Sequence, residues 1–457
     1  MAEDKRGAVK DLTEGEPAKL ILLFTLPLIA GNIFQQLYGF VDTLIVGRFL
    51  GVNALAAVGC TGSLMFLMLG FVMGLTSGLS IYTGQRFGAK DYVGIRQSVV
   101  ACTIISLAAS LILTAIGVTF CRDMLELMET PPEIIEGAYS FISIIYAGMI
   151  GFVMIQMQSN LIRSLGDSKM PTVIQAATLS INIVLEPIAI IILDGGIPGA
   201  ALATIVSLII GNIICFIYIK KKVPILHTLR EDWTFDKHML WEHARIGLPM
   251  GFQSSIIAIG AVVLQGALNG LGPIAVAATS AAMRVDGIAV MPMMSFGVAI
   301  AAYTAQNYGA RKFSRIAEGV KKTIYMSCGF SIFIAVVMIA FGPDVMRLFV
   351  GEGQQQIIDY GQQFFIINGS CYWILSLLFI FRFTLQGLGQ SVVPTIAGVM
   401  ELAARIIAAV FLVDALGYAG ACLASPLAWF GACVPLAIAF FTTRNELRRS
   451  HAQDYET

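Results

Sequence analysis

The sequence predicts an all-α polytopic membrane protein of twelve transmembrane helices, arranged as two parallel-repeat lobes of six helices each. Three observations carry this: the composition, the spacing of long apolar runs, and short motifs that return after half the chain. Hydrophobic residues make up 57% of the 457 and charged residues only 13%, against about 25% charged in ordinary soluble proteins. The formal net charge is zero, which argues against a nucleic-acid partner, since that would call for a basic face or tail. The partner this composition demands is the lipid bilayer.

The first apolar run, Leu20 to Val46, holds 27 residues. As a helix it is about 40 Å long at roughly 1.5 Å per residue, more than the ~30 Å of a bilayer's hydrocarbon layer. It carries Pro27, which removes a helical hydrogen bond and is expected to bend the helix. It also carries Asp42, whose ionised form costs on the order of 2.5–3.5 kcal/mol or more at mid-membrane. Counting back from Asp42 in helical steps meets Tyr38, Gln35 and Asn32, so one stripe is polar and is expected to face protein or water. Residues 1–19, with Lys5, Arg6, Lys10 and Lys19 among five acids, read as a polar tail, and the run after them is too long for a cleaved signal.

Eleven more apolar runs follow, at 53–83, 98–120, 138–161, 171–193, 197–219, 247–270, 275–304, 323–341, 361–381, 394–413 and 418–442. Loops rich in Lys and Arg stay in the cytoplasm. The termini, the loops at 84–97, 162–170, 220–246 and 305–322, and Arg382, assigned to the loop after the tenth span, hold 24 of the 29 basic residues. Both termini are therefore expected to be cytoplasmic and the protein to reside in the plasma membrane. The eight Cys show no CxxC or Cys/His spacing, so they read as small core residues, with no disulfide framework, resident metal site or cofactor expected.

The repeat is explicit. Leu26-Pro27 returns as Leu248-Pro249, GQRFGA at 84–89 as AQNYGA at 305–310, and LGDSKMPT at 165–172 as LGQSVVPT at 388–395, at shifts of 222, 221 and 223. Six spans per half is an even number, so both halves enter from the same side and the repeat is parallel. The expected domains are a cytoplasmic tail (1–19), an N-lobe (20–219), a cytoplasmic linker (220–246), a C-lobe (247–442) and a second cytoplasmic tail (443–457). The linker's basic start and its Trp and His residues suggest either a helix lying on the inner surface or a solvated connector.

Only four of 29 acids fall inside spans. In the second half Asp286 accompanies Arg284 and Glu401 accompanies Arg405, which reads as a neutral salt-bridged network or, less simply, as part of the transport path. In the first half Asp42 and Glu186 have no base beside them. Glu186 follows Asn182 by one helical turn and Gln175 by three, and Thr204 on the sixth span lies at a similar depth. Two uncompensated carboxylates with an amide and a hydroxyl can bind Na+ through oxygens or can hold a proton.

In these motifs, together with VDTLIVG around Asp42 and GAALAT around Thr204, the chain resembles the multidrug and toxic compound extrusion family, within the larger group of polysaccharide and lipid-linked oligosaccharide flippases. The resemblance runs from Leu26 to about Phe440. It implies two lobes forming a V with substrate between them, and export of amphipathic, often cationic organic compounds against Na+ or H+. It further implies a cation site at Asp42, Asn182, Glu186 and Thr204. Two departures stand out: the fifth-span acid is more usually Asp, and there is no acid in 247–270 or 361–381, where some branches carry one.

The mechanism so implied is alternating access, with ion binding at Asp42 and Glu186 coupled to bending at Pro27, unless that proline is simply tolerated. Met291, Met293 and Met294 read either as packing or as a soft drug-contacting surface. The rival within the same architecture is a flippase for a lipid-linked precursor. An embedded enzyme would need a nucleophile with a base inside the spans, yet His227, His238 and His243 fall in the linker and His451 in the tail. The chain is expected to act as a monomer.

Overall fold

A computed structural model describes residues 9–351 and 353–453, so Lys5 and Arg6 of the N-terminal tail and the side chain of His451 lie outside the described residues. The first half is built from α1 (Pro17–Leu50), α2 (Val52–Cys60), α3 (Gly62–Gly88), α4 (Tyr92–Leu127), α5 (Pro132–Ala147), α6 (Met149–Ser164), α7 (Lys169–Pro187) and α8 (Gly196–Lys222). The second half is built from α9 (Lys237–Gly270), α10 (Pro273–Gly309), α11 (Phe313–Val350), α12 (Gln355–Gly369), α13 (Tyr372–Gly387), α14 (Val392–Ile407), α15 (Val413–Leu416) and α16 (Tyr418–Gln453). Among the described residues, ten stretches are long and apolar enough to cross a bilayer. Two more spans are bent pairs, α5 with α6 at 49° and α12 with α13 at 48°. The total of twelve matches the apolar runs in the sequence. Large apolar side chains such as Phe40, Ile192, Phe333 and Phe411 are exposed, which suits lipid rather than water.

The repeat extends to backbone detail. Left-handed residues recur 221 positions apart: Gly51 and Gly272, Lys90 and Arg311, Gly196 and Gly417. Single π-helical turns at Ile188–Ile192 and Ala408–Leu412 follow α7 and α14. Turns of this kind widen a helix by one residue and often mark functional positions.

The chain divides into two compact units, one of Leu26–Gly251 with the segment ending at Asp11, the other of Leu12–Thr25 with Phe252 onward. These boundaries differ from lobes at 20–219 and 247–442, because the first turns of α1 fall in the second unit and the linker and first turns of α9 fall in the first.

In the first unit, the linker is mostly exposed and is pinned at a few buried residues. After two short 3-10 turns, Pro224–Leu226 and Arg230–Asp232, its remainder from Lys237 is the start of α9. Val223 and Leu226 are buried in one core with Leu75, Leu79 and Leu161. Arg96 pairs with Asp232 at 2.9 Å. His243 is fully buried; its Nε2 meets Ser98 Oγ at 2.7 Å, and that oxygen meets Thr83 Oγ1 at 2.7 Å.

Gly74-x-x-x-Gly78 on α3 and Gly247-x-x-x-Gly251 on α9 let two backbones approach closely, as small residues do between membrane helices. A Cβ on Gly78 would stand 2.7 Å from Gly247 Cα, and one on Gly251 would stand 2.9 Å from the Phe71 ring. Gly78→Ala is therefore expected to destabilise the protein by about 1–3 kcal/mol through overpacking. A thermal unfolding midpoint equal to that of the native protein would show that α3 and α9 do not touch in this way.

In the second unit, the expected polar tail is fixed in place from Leu12 onward. Leu12 is 1% exposed. Its N–H donates to Gln306 Oε1 at 2.9 Å, and its carbonyl accepts from Asn307 Nδ2 at 3.2 Å. Lys312 donates to the Thr13 carbonyl at 3.0 Å and Arg315 to that of Gly15 at 2.8 Å. The AQNYGA motif thus supplies polar side chains that hold this strap.

Candidate functional site

The polar stripe of α1 meets α7 within the first unit, and α8 borders both. Gly31 makes the approach close, since a Cβ there would stand 3.0 Å from the Thr172 methyl group. Thr172 Oγ1 donates to the Pro27 carbonyl at 3.2 Å. Here α1 runs unbroken through Pro27. One turn further on, Gln175 donates to Gln35 at 3.1 Å.

Tyr38 occupies the centre. Its hydroxyl donates to Asn182 Oδ1 at 2.7 Å and lies 3.4 Å from Asp42 Oδ1. Asn182 Nδ2 in turn donates to Thr204 Oγ1 at 3.3 Å. Asn182 is 2% exposed and Glu186 1%. Both Glu186 carboxyl oxygens are buried without a hydrogen-bond partner, and the carboxyl lies close enough to Asp42 for the two charges to interact. The side chains of Tyr38, Asp42, Asn182, Glu186 and Thr204 are thereby brought together. They present a set of oxygens, four of them on two carboxyl groups with no base in the cluster, and such a set suits a small hard cation or a proton.

The second unit corrects the expected four-residue network. Arg284 is exposed and forms no ion pair with Asp286. Residues two apart on a helix point to different faces, so the two could not have met. Asp286 instead accepts from the Tyr372 hydroxyl at 2.5 Å. Glu401 does pair with Arg405, at 3.5 Å, but also with Arg382. Arg382 is not in a loop: it lies within α13 and is 6% exposed. The apolar flanks of FIFRFTLQG, with no turn residue before Gly387, were the sequence signal for this. Met293 is fully buried while Met294 is 39% exposed, so the three methionines do not share one face.

The family model described as MatE matches residues 27–188 and again 249–411. The chain is 28% identical to "Probable multidrug resistance protein YoeA" of Bacillus subtilis over 387 residues, 83% of each chain. It is 23% identical over 390 residues to "Probable multidrug resistance protein NorM" of Thermotoga maritima, covering 83% of this chain and 82% of that one. A solved structure described as a MATE in the bent conformation superposes with a TM-score of 0.89 at 22% identity, covering 96% of this chain and 98% of that one.

Proposed function

The chain belongs to the MatE family of membrane transporters, and from that premise we propose that it is a secondary active exporter of amphipathic, cationic organic compounds driven by inward flow of Na+ or H+. The observation that carries the coupling is the pair Asp42 and Glu186: two carboxyl groups in one cluster, Asp42 half-buried and Glu186 fully buried with both its oxygens unpartnered. Burying such groups is costly unless a proton or cation neutralises them. The names of the relatives, probable multidrug resistance proteins, support the substrate class.

In this mechanism, ion binding draws the oxygens of Asp42, Asn182, Glu186 and Thr204 together and biases α1 between two shapes. A ligand can shift such an equilibrium only by its difference in affinity for the two states. Pro27 supplies the pliable point, because it lacks the N–H that would lock the turn. The distribution of Lys and Arg supports placing both termini in the cytoplasm, in a plasma-membrane protein.

The test is efflux of a fluorescent organic cation from proteoliposomes under separately imposed Na+ and H+ gradients. Stimulation by one gradient identifies the coupling ion, and stimulation by neither would overturn the proposal. Tyr38→Phe removes the donor to Asn182 while keeping the ring, so coupled efflux is expected to fall about 2- to 10-fold, the value of one hydrogen bond. An unchanged rate would place Tyr38 outside the coupling step.

A further inference from the structure

We propose that the second unit holds a binding site for one singly charged oxyanion, the carboxylate or phosphodiester group of an amphipathic molecule, built from Arg382 and Arg405 around Glu401. Arg382, Glu401 and Arg405 are 6%, 3% and 8% exposed. Two guanidinium groups thus share one carboxylate, which leaves a buried unit of positive charge. Both carboxylate oxygens are already engaged, Oε1 by Arg382 and Oε2 by Arg405. Yet Arg382 Nε and Arg405 Nη1 remain buried without partners.

Among the described residues, Glu401 is the acid that pairs with either of these guanidinium groups. Facing Arg405 across α9 is Gly260, where an added Cβ would stand 3.1 Å from Arg405 Cδ and 3.3 Å from Nη1. Glycine therefore lets the Arg405 side chain lie directly against the α9 backbone. Two orphan donors and one unit of charge match a single oxyanion, which accepts from guanidinium groups through paired oxygens. Chloride offers the charge but not the paired oxygens.

By the repeat, α9 and α14 are the counterparts of α1 and α7, and Gly260 stands 222 residues after Tyr38. The helix pair that gathers two acids in one unit carries Glu401 and Arg405 in the other, where α13 adds Arg382. This reading is independent of the ion coupling proposed above.

The experiment uses the full chain in phosphatidylcholine nanodiscs with 1-pyrenebutyrate as probe, and 1-pyrenebutanol as its uncharged analogue, at constant ionic strength. Pyrenebutyrate is expected to bind at least tenfold more tightly than pyrenebutanol, with acetate competing better than chloride. Arg405→Gln should weaken binding at least tenfold. Glu401→Gln, measured on the fraction that elutes as a single folded species, should tighten it, which a merely structural ion pair would not do. Replacing part of the phosphatidylcholine by phosphatidylglycerol, with Arg405→Gln as reference for repulsion by the bilayer, separates the sources. Selective loss of probe binding supports the site with lipid as occupant; no loss supports it with a soluble carboxylate. Equal affinity of the native protein for pyrenebutyrate and pyrenebutanol, or equal competition by chloride and acetate, would overturn the proposal.

Discussion

Asp42→Asn is expected to reduce gradient-driven export at least tenfold, towards the rate of protein-free liposomes, while the protein remains folded. The amide keeps the shape and can still meet Tyr38, which lies 3.4 Å from Asp42 Oδ1, but it can neither hold a proton nor carry charge to a cation. Each 1.4 kcal/mol of lost differential binding is a factor of ten, and removing one of two carboxyl groups from an ion site exceeds that easily. Glu186→Gln should behave alike, and the double variant should be no worse than either single one, since groups that act as a unit are not additive. The measurement is efflux under the stimulating gradient, with size-exclusion elution as the check on folding. Full activity in Asp42→Asn would remove this cluster from the coupling step.

Glu401→Ala is expected to cost about 3–5 kcal/mol of stability, the range for breaking a buried pair so that a charge is left uncompensated. Here two guanidinium groups would be left, Arg382 and Arg405, both buried. The thermal unfolding midpoint should fall by several degrees. Arg284→Gln should stay within about 0.5 kcal/mol of the native protein, as substitutions at exposed positions usually do. Equal effects at the two positions would mean that Arg284 carries a charge contact equivalent to the one at Glu401.

The contrast between these residues marks what the sequence could and could not reveal. Helical period alone aligned Tyr38 with Asp42 and Asn182 with Glu186, because each pair is four apart on one uninterrupted helix. Apolar runs located all twelve spans, including the two bent ones, since a bend within a span leaves its hydropathy intact. Arg382 escaped because a boundary drawn by hydropathy stops at the first charge, whereas the helix stops at a turn glycine, Gly387. Arg284 and Asp286 do not pair because residues two apart on a helix point to different faces. The linker's anchor points escaped for a different reason: they depend on partners far along the chain, such as Arg96 for Asp232. No local pattern reports such a contact.

The strap at Leu12 to Gly15 imposes an order on biosynthesis. Its hydrogen-bond partners, Gln306, Asn307, Lys312 and Arg315, lie 294 to 300 residues downstream. At about 5–20 residues per second, the ribosome takes roughly 15–60 s to deliver them. Through that interval the first helix is already made while Leu12 to Gly15 lack these partners. Leu12 to Gly15 are thus made early and held only later, and their seating reports that the eighth span has been completed.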